Sequence, residues 1–219
     1  MIDTNIHSSR NTVKRFILTG TPGSGKTSVL RALADRGYDV VDEAATAVIT
    51  QAQERGEAEP WSQASFIDEV VGLQRQRQTR ASSTATGIQV YDRSPICTHA
   101  LSVYLQRPIL AALSLELNRI AHEQIYERQV FFVRNLGFCE PTAARRISFK
   151  DSLDFERIHE ESYRNFGYEL VDIPAGKLID RVDMVENSIS RFVLRTPSGG
   201  ENGAHLRSQG TSEDQHSQE

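Results

Sequence analysis

The apolar run Arg15-Phe16-Ile17-Leu18-Thr19 passes directly into Gly20-Thr21-Pro22-Gly23-Ser24-Gly25-Lys26-Thr27, and a helix-forming stretch follows from Ser28 to Arg36. This order constrains the fold more than any other part of the chain. Backbone N–H groups of a glycine-rich turn can surround a phosphate only where the turn joins a strand end to a helix N-terminus. The G-x-x-x-x-G-K-[ST] spacing is complete and has both flanks, so it points to a site for a nucleoside triphosphate. Gly20, Thr21, Pro22, Gly23, Ser24, Gly25, Lys26, Thr27 and Ser28 would line that site. Lys26 would reach the β- and γ-phosphates, and the Thr27 hydroxyl would ligate Mg²⁺.

Bulk properties exclude several classes. With 219 residues, the chain suits one domain able to bury a sizeable core. A net charge of −4 and a pI near 5.9 point away from nucleic acid, whose partners carry a basic face. No run approaches the ~18 apolar residues of a membrane span. Residues Met1 to Asn11 are polar and lack the apolar segment of a secretory signal, so a cytoplasmic location is expected. Cys97 and Cys139 stand apart from each other and from any Cys/His cluster, which argues against zinc and a disulfide framework.

Strands are expected at 14–19, 38–42, 88–92, 129–133 and 168–173. Helices are expected at 26–36, 43–55, from about 62 or 65 to 81, after Pro108, up to about Phe166, and from about Ile179. The segment 134–150 reads as irregular. Strands alternating with helices imply a parallel, doubly wound α/β sheet. The expected organisation is a flexible N-terminus over 1–13, a domain over 14–194, and a disordered tail over 195–219 that holds no aromatic residue.

Ligands of open parallel sheets sit beyond the carboxyl ends of the strands, so polar residues there are candidates for chemistry. Asp92 closes the third strand and is the expected second metal-side group; capping of a strand-end turn is its bland alternative. The polar Gln89 counts slightly against full burial of that strand. Arg93 could neutralise a transferring phosphoryl group, or simply pair with an acid. Asp42 or Glu43 could accept a proton from a substrate hydroxyl or orient a water, and Glu43 is preferred; either could instead favour a helix N-terminus. Arg145 and Arg146 could close over the triphosphate from a mobile loop, or be solvated. The Gln74–Arg80 run reads as a solvated helix face, and Trp61 and Phe66 as core or stacking groups. His99, His122 and His159 lack metal spacing and receive no role.

Taken together, Gly-x-x-Gly-x-Gly-Lys-Thr at 20–27, Glu43, Asp92-Arg93-Ser94, Arg145-Arg146, and Gly167-Tyr168 before Ile173-Pro174 resemble the AAA-type ATPase-like P-loop kinases. These are small single-domain proteins similar to nicotinamide-riboside and deoxynucleoside kinases. The resemblance covers about residues 14–193. It implies a three-layer P-loop NTPase fold with a five-stranded parallel sheet of order 2-3-1-4-5 and helices on both faces. It also implies MgATP on the P-loop, Asp92 near the metal, Arg93 near the acceptor, Arg145 and Arg146 in a lid, and Pro174 and Ala175 beside the adenine. Thr46 stands where the nicotinamide-riboside-kinase pattern has an arginine, so that acceptor is not implied.

The leading expectation is an ATP-dependent phosphotransferase acting on a hydroxyl of a nucleoside-like or other polar metabolite. Lys26, Glu43, Asp92, Arg93, Arg145 and Arg146 would be its catalytic residues, with Thr27 and Asp92 on the metal. The alternative is an ATP-hydrolysing switch acting through a protein partner; a homodimer also stays open. No Asn-Lys-x-Asp segment occurs, which argues against a guanine-specific switch.

Overall fold

The computed structural model describes residues 13–84, 87–137 and 148–195, and side chains at 82–84 are excluded. Five parallel strands form one sheet in the order β2-β3-β1-β4-β5: β1 (Lys14–Thr19), β2 (Asp39–Val41), β3 (Ile88–Asp92), β4 (Gln129–Val133) and β5 (Glu169–Ile173). Seven α-helices join or follow them among the described residues: α1 (Lys26–Asp35), α2 (Ala44–Glu54), α3 (Phe66–Thr84), α4 (Pro95–Tyr104), α5 (Ala111–His122), α6 (Phe149–Asn165) and α7 (Leu178–Arg195). Both the strand order and the parallel pairing agree with the sequence-based expectation.

Alternation along the strands builds two cores. Phe16 and Leu18 of β1 face the layer of α1 and α7, where Val29, Leu33, Val182 and Val185 meet them. Ile17, between them, faces the opposite layer, which contains Val48, Val70, Ile96, Leu113 and Tyr163. β1 and β4 are apolar on both sides because helices cover both faces, as expected for a parallel sheet.

One helix was not foreseen. Segment 95–104 carries no polar stripe because Ile96, Cys97, Thr98, Ala100 and Ser102 are all buried, so α4 lacks the period that marks an amphipathic helix. Its start signal is nonetheless present: Ser94 Oγ accepts from the Ile96 N–H, and Pro95 occupies the first turn. Gln89 also departs from expectation. It is fully enclosed, donating to the Ala81 carbonyl at 3.2 Å and accepting from Tyr91 Oη at 3.0 Å. Arg195, assigned to the tail, closes α7. Residues 1–12 and 196–219 lie outside the described residues, and with them the expectations for both termini.

Register determines what meets at the ligand end of the sheet. Leu18 pairs with Asp92, and Val41 with Tyr91. The residues leaving β1, β3 and β2 therefore emerge side by side, and these are the P-loop, Asp92-Arg93 and Asp42-Glu43. β1 lies between β3 and β4, where the connections reverse direction, which is the point at which open α/β sheets take ligands.

Candidate active site

The P-loop leaves β1 at Gly20, whose φ is 138°. A Cβ there would stand 2.2 Å from the Val133 carbonyl oxygen, so only glycine lets the loop pass the end of β4. Ser24 N–H donates to the Thr21 carbonyl at 3.3 Å, and Val29 N–H to the Gly25 carbonyl at 3.2 Å, which starts α1. Lys26 is buried and donates from Nζ to the Thr21 carbonyl at 2.8 Å. Burial first, and Arg93 second, lower its pKa from 10.5 to about 8, although Asp92 and Glu43 act the other way.

Asp92 is buried, and its Oδ1 has no hydrogen-bond partner among the described residues. Burial pushes its carboxyl above the ordinary range, with Lys26 opposing that shift. An enclosed carboxylate oxygen without a donor suits a hard cation that takes oxygen ligands, although Asp92 lies outside the lining of the cavity that holds Thr27. The Thr27 hydroxyl and the Asp92 carboxylate are donors of the type Mg²⁺ takes. Ser24 Oγ is likewise enclosed and unpaired.

Arg93 is held in an unusual backbone state. Its φ of 72° lies in the left-handed region, which costs a non-glycine residue energy, while its N–H still extends the sheet ladder to the Leu18 carbonyl at 3.0 Å. Its side chain faces Glu43, with Nε 2.5 Å from Glu43 Oε1 in a close ion pair. Thr46 Oγ1 donates to Glu43 Oε2 at 2.8 Å. Burial alone would raise the Glu43 carboxyl, but Arg93, Lys26 and Thr46 together outweigh it and hold Glu43 below the ordinary value. Glu43 is thus a carboxylate facing the cavity. Asp42 is exposed, outside the cavity lining, and its backbone carbonyl accepts from Arg77 Nη1 at 2.8 Å.

Sequence reasoning assigned two residues too little. His159 is fully enclosed on α6, where Nδ1 reaches the Phe155 carbonyl at 3.0 Å and Nε2 faces Arg93 Nη1 at 3.2 Å. Burial, followed by the Arg93 charge, drives its pKa to about 3, so the ring is neutral: Nδ1–H donates to Phe155 and Nε2 accepts from Arg93. Arg77 is not merely solvated. It donates to the carbonyls of both Asp42 and Glu43 and so fixes the turn that presents Glu43. A lone histidine and an arginine within a polar helix carry no distinguishing spacing, so nothing in the sequence marked either.

A cavity of about 560 Å³ is lined by the P-loop, Glu43 and Arg93, and neither Asp92 nor His159 belongs to its lining. Lys26 and Thr27 of the P-loop, Glu43 and Arg93, and an aromatic wall of Trp61, Phe66, Tyr104 and Phe155 all line it. Phe66 therefore serves both core and cavity. Gln74 also lines it and accepts from Thr98 Oγ1 at 3.0 Å. Pro174 and Ala175 lie exposed after β5, outside the cavity lining. Arg145 and Arg146 lie outside the described residues.

Comparison with solved structures agrees with this architecture. Deoxyadenosine kinase from M. mycoides, solved with the products dCMP and a flexible dCDP, superposes with a TM-score of 0.53 at 12% identity, covering 81% of this chain and 99% of that one. The same enzyme with bound dATP gives 0.53 at 13% identity, covering 80% and 99%. At such identity the likeness concerns the fold, a P-loop kinase-like one. Among curated proteins, no sequence matches. No helix among the described residues is long and apolar enough to cross a membrane. A family match spans residues 15–181, from β1 into the first turn of α7, and the chain belongs to the AAA domain family.

Proposed function

We propose that the protein transfers the γ-phosphoryl group of MgATP to a hydroxyl of a small, uncharged acceptor that carries a flat apolar ring. The observation that carries this reading is the shared cavity, whose lining includes the P-loop, Glu43, Arg93 and an aromatic wall. A hydrolase needs only room for water beside the phosphate. A cavity of about 560 Å³ is the size of a small-molecule site. The acceptor is uncharged because Arg93, the arginine among the described lining residues, is already matched by Glu43.

In this reading the P-loop amides and Lys26 hold the polyphosphate, and Thr27 with Asp92 hold Mg²⁺, which when bound neutralises charge on the phosphate oxygens. Glu43, ionised at neutral pH, accepts the hydroxyl proton. Arg93 carries a permanent charge beside the reacting centre, and the neutral His159 supports it without competing for its charge. The aromatic wall orients the acceptor and keeps water from the hydroxyl. Arg145 and Arg146 are proposed to close the site from above, and Pro174 and Ala175 to border the adenine.

Transfer of label from γ-labelled ATP across a panel of nucleosides, vitamins and aromatic alcohols tests the reading. Formation of a phosphorylated acceptor at least tenfold faster than phosphate release is expected. Phosphate appearing only in water, whatever acceptor is present, would contradict it and favour the switch.

A further inference from the structure

α7 brings a cation to the P-loop that the mechanism above does not use. Arg181 is 4% exposed, and its Nη2 donates to the Ser24 carbonyl at 2.6 Å and more weakly to the Arg134 carbonyl at 3.4 Å. Nη1 lies 2.9 Å from where a Cβ on Gly25 would stand, so the glycine makes room for the guanidinium. Its Nε is enclosed without a partner among the described residues.

What sets Arg181 apart among the described arginines is burial combined with the absence of a counter-charge. Arg93 faces Glu43, Arg119 faces Glu116, and Arg134 faces Glu156, Glu160 and Asp172. Arg181 meets only carbonyls and forms no ion pair among the described residues, and burial alone lowers its proton affinity. A cation taken out of water without an anion works against the fold. The chain places that cost against the one loop whose expected ligand is strongly anionic.

The hydrogen bond adds direction. In a trans peptide the carbonyl and the following N–H point opposite ways, and no cis peptide occurs among the described residues. By holding the Ser24 carbonyl, Arg181 turns the Gly25 N–H away from itself.

We propose that Arg181 is a positioning residue for the nucleotide: it aims the Ser24–Gly25 peptide at the polyphosphate, and its charge is matched only when that polyphosphate is bound. The inference rests on the nucleotide-binding reading above and adds a residue and a charge dependence to it.

Two variants separate the bond from the charge. R181Q retains a donor for the Ser24 carbonyl without the charge, and R181K retains the charge without the planar fork. Melting of the ligand-free proteins and dissociation constants for ATP, ADP and AMP are measured for both, with K26A as a control. Ligand-free R181Q is expected to melt at or above the parent. Its affinity should fall roughly tenfold for ATP, less for ADP and about twofold at most for AMP, because the loss follows ligand charge. R181K should recover most of the ATP affinity. Failure of R181Q to fold, or an equal fractional loss for all three nucleotides, would make Arg181 an ordinary structural brace and overturn the proposal. Normal binding by R181Q alongside loss in K26A overturns only this proposal. A parent protein that binds no nucleotide overturns the reading beneath it as well.

Discussion

Replacing Lys26 by methionine keeps the length of the side chain and removes a buried ammonium. The protein lowers the Lys26 pKa from 10.5 to about 8, which corresponds to roughly 3 kcal/mol of preference for the neutral amine. Because the folded value lies below the unfolded one, the unfolded chain binds more protons between about pH 8 and 10.5, and stability rises with pH across that window. At pH 7 the whole cost falls on the folded state. Methionine removes it but leaves the Thr21 carbonyl without its donor, at a cost of about 1–2 kcal/mol. The ligand-free variant should therefore be about 1–2 kcal/mol more stable at pH 7, a rise in melting temperature of roughly 3–6 °C for a domain of this size. Thermal melts of both proteins at pH 7 and near pH 10 provide the assay, with MgATP as a second arm. The gain should shrink or reverse at high pH, and MgATP should raise the melting temperature of the parent alone. A variant that melts below the parent at pH 7 by an amount independent of pH would refute the reasoning.

Other perturbations give separate readouts. His159, held neutral down to about pH 3, makes the fold lose about 1.4 kcal/mol per pH unit as the unfolded chain protonates below its ordinary value of 6.5. Urea unfolding at pH 7, 5 and 4 should show that slope and should lose it in His159→Asn; an unchanged slope would count against a buried neutral ring. Gly20→Ala should cost about 3 kcal/mol or more by chemical unfolding, because its Cβ would lie 2.2 Å from the Val133 carbonyl oxygen at a φ of 138°; a change under about 1 kcal/mol would mean that the loop moves freely. Thr46→Val removes a donor that lowers the Glu43 pKa, so the acid limb of kcat/KM should move to higher pH. An unmoved limb would remove Glu43 as the base.

The frame of this site was legible in the sequence because its parts are local. A strand, a glycine turn and a helix are contiguous between residues 14 and 35, and strand-end acids can be placed once strands are recognised. Residues acting across layers were not legible. His159 reaches Arg93 from 66 positions away, and Arg181 reaches Ser24 from 157 positions away. Each is an unremarkable polar residue on an amphipathic helix until the sheet brings the two layers together. α4 was missed for the opposite reason: most of its residues are buried and its exposed position is the apolar Val103, so it lacks the polar stripe by which a helix is recognised. The left-handed backbone of Arg93 is invisible as well, because Asp-Arg-Ser reads as an ordinary strand end, whereas tertiary contacts impose the strain.

Calorimetric titration of MgATP at pH 8, run in two buffers of different ionisation enthalpy, tests most directly whether the buried Lys26 amine meets a polyphosphate. Lys26 is about half protonated at that pH in the free protein and becomes fully protonated beside the phosphates, so binding should take up about half a proton, and Lys26→Met should abolish the uptake. Binding with the same apparent enthalpy in both buffers, or no binding at all, would contradict the account.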